Sequence, residues 1–147
     1  MNRTNLWKQL EEKKQIERDA ARADYQSTLS SIQKLETHLQ RLSALSEEYH
    51  AQDLKISTEQ HFISQTQAVR NTIQKIMQLR FKTQYEMENM RAKLSQIQLS
   101  LQALELECAK YRKLREQAER QSMLAADKKV RKETDAIALH LHLRHSY

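Results

Sequence analysis

Three histidines near the end of the chain are the residues whose type and spacing come closest to a metal site. They are His140, His142 and His145. On a helix, His140 and His142 point away from each other, whereas His142 and His145 share a face. Two imidazoles make at most half of a tetrahedral zinc site. The sequence therefore predicts no metal site, and we interpret the isolated histidines His38, His50 and His61 as solvated.

Cys108 is the other residue that could do chemistry, and it is the only cysteine, so no internal disulfide can form. It falls within an apolar repeat, which favours a small core residue over a nucleophile. The chain has no glycine, which excludes the glycine-rich loops that hold phosphate groups. We therefore predict that the protein is not an enzyme and holds no cofactor.

The composition indicates what kind of element carries these residues. Glycine and proline are both absent from the 147 residues, so tight turns are hard to make. Apolar residues make up 39% of the chain, below the ~45–50% of an ordinary globular domain. The remainder is rich in good helix formers. The sequence predicts a single all-α domain of long amphipathic helices.

A heptad repeat runs through the second half of the chain. Apolar residues alternate at steps of three and four, and this spacing of 3.5 residues is typical of a left-handed coiled coil. The repeat begins at Val69, Ile73 and Ile76, is interrupted at Arg80 and Thr83, and fades after Tyr111. Its predicted seam residues are Met87, Met90, Leu94, Ile97, Leu101 and Leu104.

A shorter repeat of the same spacing occupies the first half. It runs from Tyr25 to Tyr49, with Ile32, Leu35, Leu39 and Leu42 as its predicted seam. Upstream of Tyr25 the same spacing meets charged residues. There we expect apolar contacts from residues at roughly helical spacing instead: Leu6, Leu10, Ile16, Ala20 and Ala23.

The segment between the two repeats, Ser46–Phe62, decides the fold. "STEQ" at Ser57–Gln60 has the pattern of a capping box, which begins a new helix. We therefore predict helix 1 at about 4–50, a turn at about 51–57 and helix 2 at about 58–142. The competing reading is one unbroken helix.

The predicted fold is a two-helix antiparallel coiled coil, an α-hairpin, with a longer and overhanging C-terminal helix. Residues 4–50 would pair with roughly 58–104, and helix 2 would overhang helix 1 from about residue 105. An overhanging amphipathic helix is marginal in water, so we expect a protein partner, a second copy or partial disorder for it.

The basic charge is concentrated at this predicted overhang. The chain has a net charge of +6, and residues 109–147 hold 10 Lys/Arg against 5 Asp/Glu, a net +5. Acidic residues interleave with the basic ones and only two tyrosines lie there, so we expect no nucleic-acid stacking platform. The thin apolar stripe does not suit a membrane surface, and no run approaches the ~18 apolar residues of a membrane span. The N-terminus shows no apolar signal-peptide core, which favours a cytoplasmic protein.

Two stretches carry a family resemblance: "TEQHFISQTQAV" from Thr58 and "DKKVRKETDAIALHLHLRH" from Asp127. Both resemble the stalk proteins of type III secretion systems, that is, the flagellar export protein FliJ and its injectisome counterparts of the YscO (SctO) type. The size, the absence of pockets, the paired helices and the longer second helix of that family fit the predicted fold.

The resemblance implies a partner at each end. The end with both termini would enter the pore of a hexameric secretion ATPase, and the turn end would reach the cytoplasmic domain of the export gate at the inner membrane. The family also binds secretion chaperones. The gate-contacting stripe would fall on Phe62, Thr66, Val69 and Ile73, with Thr66 departing from the family's usual leucine.

The net charge of the overhang favours contact with an ATPase ring of complementary charge. The candidate contacts are the basic side chains of this segment: Arg112, Lys113, Arg115, Arg120, Lys128, Lys129, Arg131 and Lys132. For any one of them, the alternative is a solvated helix face.

Two other functions stay open at the level of sequence. One is a generic coiled-coil tether or scaffold that forms a parallel dimer through the long repeat. The other is a basic helical protein associated with nucleic acid, whose binding would weaken steeply with salt. The sequence leaves the flagellar and injectisome systems as equal options.

Overall fold

The computed structural model describes residues 3–58 and 63–146, and these form two helices. Helix α1 spans Arg3–Thr58, with 56 residues, and helix α2 spans Ile63–His145, with 83 residues. No strand occurs among the described residues. The prediction of an all-α chain is confirmed, and the packing of the two helices against each other is consistent with an α-hairpin.

The length of both helices follows from their composition. No glycine or proline interrupts either of them, so each backbone N–H can bond the carbonyl four residues earlier. Hydroxyl side chains that could compete with this pattern instead bond back to the helix, as Thr37 does to the Gln33 carbonyl at 3.0 Å. Helix α2 ends where the Ser146 amide and hydroxyl both donate to the His142 carbonyl, at 3.1 and 2.8 Å. The last turn is basic, which suits the negative end of the helix dipole.

The helix bounds differ from the predicted ones at the turn. Residues 51–57, predicted as the turn, are helical, and α1 continues to Thr58. The segment contains good helix formers, and Asp53 and Ile56 stay half-buried at the same three-and-four spacing as the residues before them. The second half of the predicted capping box, Glu59 and Gln60, lies outside the described residues. Helix α2 begins at Ile63 rather than 58 and reaches His145 rather than 142.

Contacts cluster the chain into two compact units, and the single domain stays a prediction. Unit 1 contains residues 1–19 and 102–147, and unit 2 contains residues 20–101.

Unit 2 has an apolar core. Ile32 and Leu42 from α1 and Ile73 and Ile76 from α2 are all buried. Three smaller polar residues are also buried on the same heptad frame: Thr28, Ser46 and Thr83. Each isoleucine or leucine buried in this way contributes about 1.5–3 kcal/mol. The predicted seam residues of unit 2 are all buried or half-buried: Ile32, Leu35, Leu39, Leu42, Met87, Met90, Leu94, Ile97 and Leu101.

Two ion pairs fix the direction and register of the helices in unit 2. Arg70 lies 3.3 Å from Asp53, and Arg91 lies 3.3 Å from Glu36. The later position in α1 meets the earlier position in α2, so the segments run in opposite directions. The predicted pairing of 4–50 with 58–104 would instead place residue 36 beside about residue 72. The register is shifted because α1 continues through the predicted turn to Thr58.

Unit 1 pairs the start of α1 with a later part of α2 than predicted. Trp7 stacks on Tyr111, Glu11 pairs with Arg115, and Lys14 pairs with Glu107. Residues 107–115 therefore contact α1, although the sequence predicts an overhang from about residue 105. The longer α1 accounts for this correction too, because it moves each partner residue farther along α2.

Beyond this paired part of unit 1, α2 has no buried side chain. Every described residue from Arg120 to Ser146 is exposed, including the apolar side chains Leu124, Val130 and Ile137. Among residues 3–58 and 63–146, neither helix has a window long and apolar enough to cross a membrane.

Candidate functional site

The paired part of unit 1 places charged side chains where unit 2 has apolar ones. Glu11 is buried and lies on the same heptad frame as Thr28 and Ile32. Its carboxylate accepts a short hydrogen bond from the Arg115 guanidinium, which also lies 3.2 Å from Glu119. These two carboxylates, Glu11 first, raise the pKa of Arg115. The ion pair with Arg115 compensates the buried Glu11 carboxylate, whose burial without a partner would destabilise the fold.

A second charged position lies one step along the frame. Lys14 Nζ lies 2.9 Å from Glu107 and 3.2 Å from Glu17. The hydrogen bond to Glu107 is the main reason that the pKa of Lys14 is raised, with Glu17 as the second cause. Both pairs therefore hold α1 against α2 through electrostatic attraction rather than apolar burial.

One aromatic contact and one thiol complete this part of unit 1. The Trp7 and Tyr111 rings stack with centroids 6.1 Å apart and planes inclined by 26°. Lys110 Nζ lies 5.5 Å from the Tyr111 centroid, within the range of a cation–π contact. Cys108 is buried, in the heptad frame that the sequence assigns to it.

Sequence reasoning missed the role of Glu11, Lys14 and Arg18, and it expected apolar contacts from Leu6 and Ile16 instead. In the structure Leu6 and Ile16 are exposed, whereas the three charged residues are buried or half-buried. The signal was present in the sequence, because Glu11 and Arg115 both fall on heptad positions and carry opposite charges. A hydrophobicity pattern does not register such a pair.

The basic candidates for the ATPase contact differ in whether they form an ion pair within unit 1. Arg115 is engaged by Glu11 and Glu119, while Arg120 lies at 4.0 Å from Glu116 on the surface. The remaining candidates are all exposed: Arg112, Lys113, Lys128, Lys129, Arg131 and Lys132. The structure thus places seven of the eight side chains on the surface of unit 1.

The predicted gate-contacting stripe lies at the start of α2 in unit 2. Phe62 falls outside the described residues. Thr66 and Val69 are half-buried and Ile73 is buried, because they follow the heptad frame that packs against α1. Ile63, which the prediction left out, is the exposed apolar side chain at this end, with 84% of its surface accessible.

The outer face of α2 in unit 2 carries large side chains that the sequence analysis did not single out. Met77, Phe81 and Tyr85 are spaced four residues apart, which places them along one side of the helix. Their exposed fractions are 56%, 74% and 61%. The heptad frame passes over them because it follows only the face that packs against α1.

The histidines and the cysteine form no metal centre among the described residues. No group of three or more histidine, cysteine, aspartate or glutamate side chains has the geometry to hold an ion there. His140, His142 and His145 are all exposed. His61 lies outside the described residues.

No protein-family model, curated protein or solved structure matches this chain. Functional conclusions therefore rest on the residues and their placement.

Proposed function

We propose that this protein is a non-enzymatic stalk: an antiparallel two-helix coiled coil whose C-terminal helix overhangs. In its most concrete form it is the central stalk of a bacterial type III secretion ATPase complex. One end would enter the hexameric ATPase ring. The other would contact the cytoplasmic domain of the export gate at the inner membrane.

The heptad frame supports the coiled-coil part of this proposal. In α2 every residue reached by alternating steps of three and four from Thr66 to Ala118 is buried or half-buried. In α1 the same holds from Tyr25 to Ile56. A spacing of 3.5 residues keeps one face of each helix against the other over many turns.

The observation that carries the functional proposal is the exposed helix after residue 119. Residues 120–146 hold six basic side chains and three acidic ones, so their net charge is 6 − 3 = +3. A helix with no intramolecular cover and a net positive charge suits insertion into a narrow pore with acidic walls. The proposed ring contacts are Arg112, Lys113, Arg120, Lys128, Lys129, Arg131 and Lys132. Arg115 is removed from this set because it is engaged within unit 1.

The gate contact is proposed for the start of α2. Thr66 and Val69 are half-buried, so a partner can contact only part of each side chain. Ile73 is covered by α1. We therefore add the exposed Ile63 to the contact. Secretion chaperones are the third class of partner in this proposal.

The decisive experiment is a pull-down with a hexameric secretion ATPase, using the full chain and a truncation after Glu119. Every described residue that this truncation removes, 120–146, is exposed, so Tyr111 and Arg115 keep their contacts in unit 1. We expect the truncation to lose at least about tenfold in affinity, the scale of several rim charge pairs lost together. Unchanged binding would refute the assignment of this segment to the ring.

A charge-reversal variant separates charge from length. Lys128, Lys129, Arg131 and Lys132 are changed to glutamate, and we expect ATPase binding to fall as in the truncation. The matched control reverses four exposed basic residues of unit 2, Lys34, Arg41, Lys75 and Lys82. Equal losses in both variants would mean that overall charge, and no particular segment, governs binding.

A further inference from the structure

The two units are held together by different forces. Unit 2 buries Ile32, Leu42, Ile73 and Ile76, whereas the one buried apolar residue among the described residues of unit 1 is Cys108. Leu10, Leu104 and Leu114 of unit 1 are half-buried and add partial burial. Unit 1 therefore has much less apolar area to hold its α1 segment in place.

Ion pairs occupy the positions that apolar residues fill in unit 2. A buried pair costs desolvation, so replacing it by well-packed apolar residues is often neutral or stabilising. In the Lys14–Glu107 pair about half of the Glu107 side chain is accessible, although the paired oxygen Oε2 is covered, so salt screens this pair in part. Residues 3–19 are thus fixed in register by charge but bound weakly.

We propose that residues 3–19 of α1 form a strap that detaches from residues 104–119 of α2 while unit 2 stays packed. Local opening of this kind draws on the segment with the least buried apolar area. Opening would uncover Cys108, Tyr111 and Arg115 next to the exposed residues 120–146. Any partner that binds the uncovered face then favours the open state. Because ion pairs hold the strap closed, the ionic strength that screens them sets the fraction of time for which the strap is open.

The chain carries its own reporters of this opening. Cys108 is the only cysteine and is buried on the α2 side, and Trp7 is the only tryptophan and stacks on Tyr111 from the α1 side. A neutral reagent such as N-ethylmaleimide modifies Cys108 only when the strap is open. Its rate, compared with that of the chain unfolded in denaturant, measures the open fraction without added labels.

The test compares Cys108 modification in three forms of the full chain. Raising the salt from about 0.05 to 0.5 M, which shortens the screening length several-fold, should increase the rate several-fold in the wild type. Glu11→Gln leaves Arg115 with one carboxylate fewer and should raise the rate roughly tenfold. Glu11→Leu combined with Arg115→Leu supplies an apolar pair, and should slow modification below the wild-type rate and weaken its salt dependence.

Controls separate strap opening from global unfolding. Glu36→Gln breaks the exposed pair with Arg91 in unit 2 and should leave the Cys108 rate unchanged. Amide exchange at residues 28–46 should stay the same in Glu11→Gln. If Glu11→Gln accelerates that exchange as much as it accelerates Cys108 modification, or leaves the Cys108 rate unchanged, the strap proposal is overturned. No ATPase is present, so this result is independent of the proposed function.

Discussion

At the scale of single residues, few side chains hold unit 2 together. Its core consists of one row of residues along each helix, so each buried side chain has a large share of the apolar contacts. Ile32 is 5% exposed and Ile63 is 84% exposed, although both belong to unit 2. The same residue type therefore has opposite environments within one unit, and this allows a matched comparison.

We expect Ile32→Ala to lower the free energy of unfolding of unit 2 by about 2–4 kcal/mol, because it removes a buried side chain and leaves a cavity. Ile63→Ala should change it by less than about 0.5 kcal/mol, since the side chain already faces water. Urea unfolding followed by circular dichroism measures both. A cost for Ile63→Ala equal to that of Ile32→Ala would contradict the burial described for these residues.

At the scale of helices, sequence reasoning gave the elements and their packed faces but misplaced their ends. The repeat from Tyr25 to Tyr49 was visible because its heptad positions are mostly apolar. Its continuation through Asp53 and Ile56 was obscured, since "STEQ" has the pattern of a helix cap. Ser57 and Thr58, the first half of that motif, belong to α1, where the helical context overrides the local signal. One misplaced end then shifted the whole predicted register.

The register is tested by electron–electron distances in unit 2. Spin labels at Glu36 and Arg91 should lie close together, because these side chains form an ion pair. Labels at Glu36 and Lys75 should be roughly 24 Å farther apart along the helix, since 91 − 75 = 16 residues at about 1.5 Å each separate them. The sequence-based register predicts the opposite order, with Lys75 near Glu36. Cys108→Ser provides the background for both labelled pairs.

The candidate site was predictable in part for a similar reason. A concentration of basic residues is visible in composition alone, and seven of the eight candidates are exposed, with Arg115 as the exception. The engagement of Arg115 required its partner Glu11, which lies 104 residues away in the chain. The burial of Ile73 follows from its place in the heptad repeat, and it conflicts with the place of the same residue in the predicted gate-contacting stripe. Pairings between distant segments depend on register, which composition does not encode.

At the scale of the whole molecule, the two halves of the chain supply each other's packed faces. In unit 2, α1 covers the row that contains Ile73 and Ile76, and in unit 1 it covers Cys108. A parallel dimer through the long repeat, as a generic tether would form, needs this same row for a second chain. The two arrangements therefore compete for one surface, and the intramolecular one has no cost in lost translational freedom.

We therefore expect the free protein to sediment as a monomer of 17.5 kDa at micromolar concentration. Analytical ultracentrifugation over a concentration series measures this directly. A species of twice that mass would require a test of the outer face of α2, where Phe81 and Tyr85 are exposed. If Phe81→Ser restores the monomer, the association arises from this outer face, and the intramolecular pairing stands. A dimer that persists in Phe81→Ser but dissociates in Ile73→Asp would contradict the intramolecular pairing, because the second chain would then occupy the row that α1 covers here.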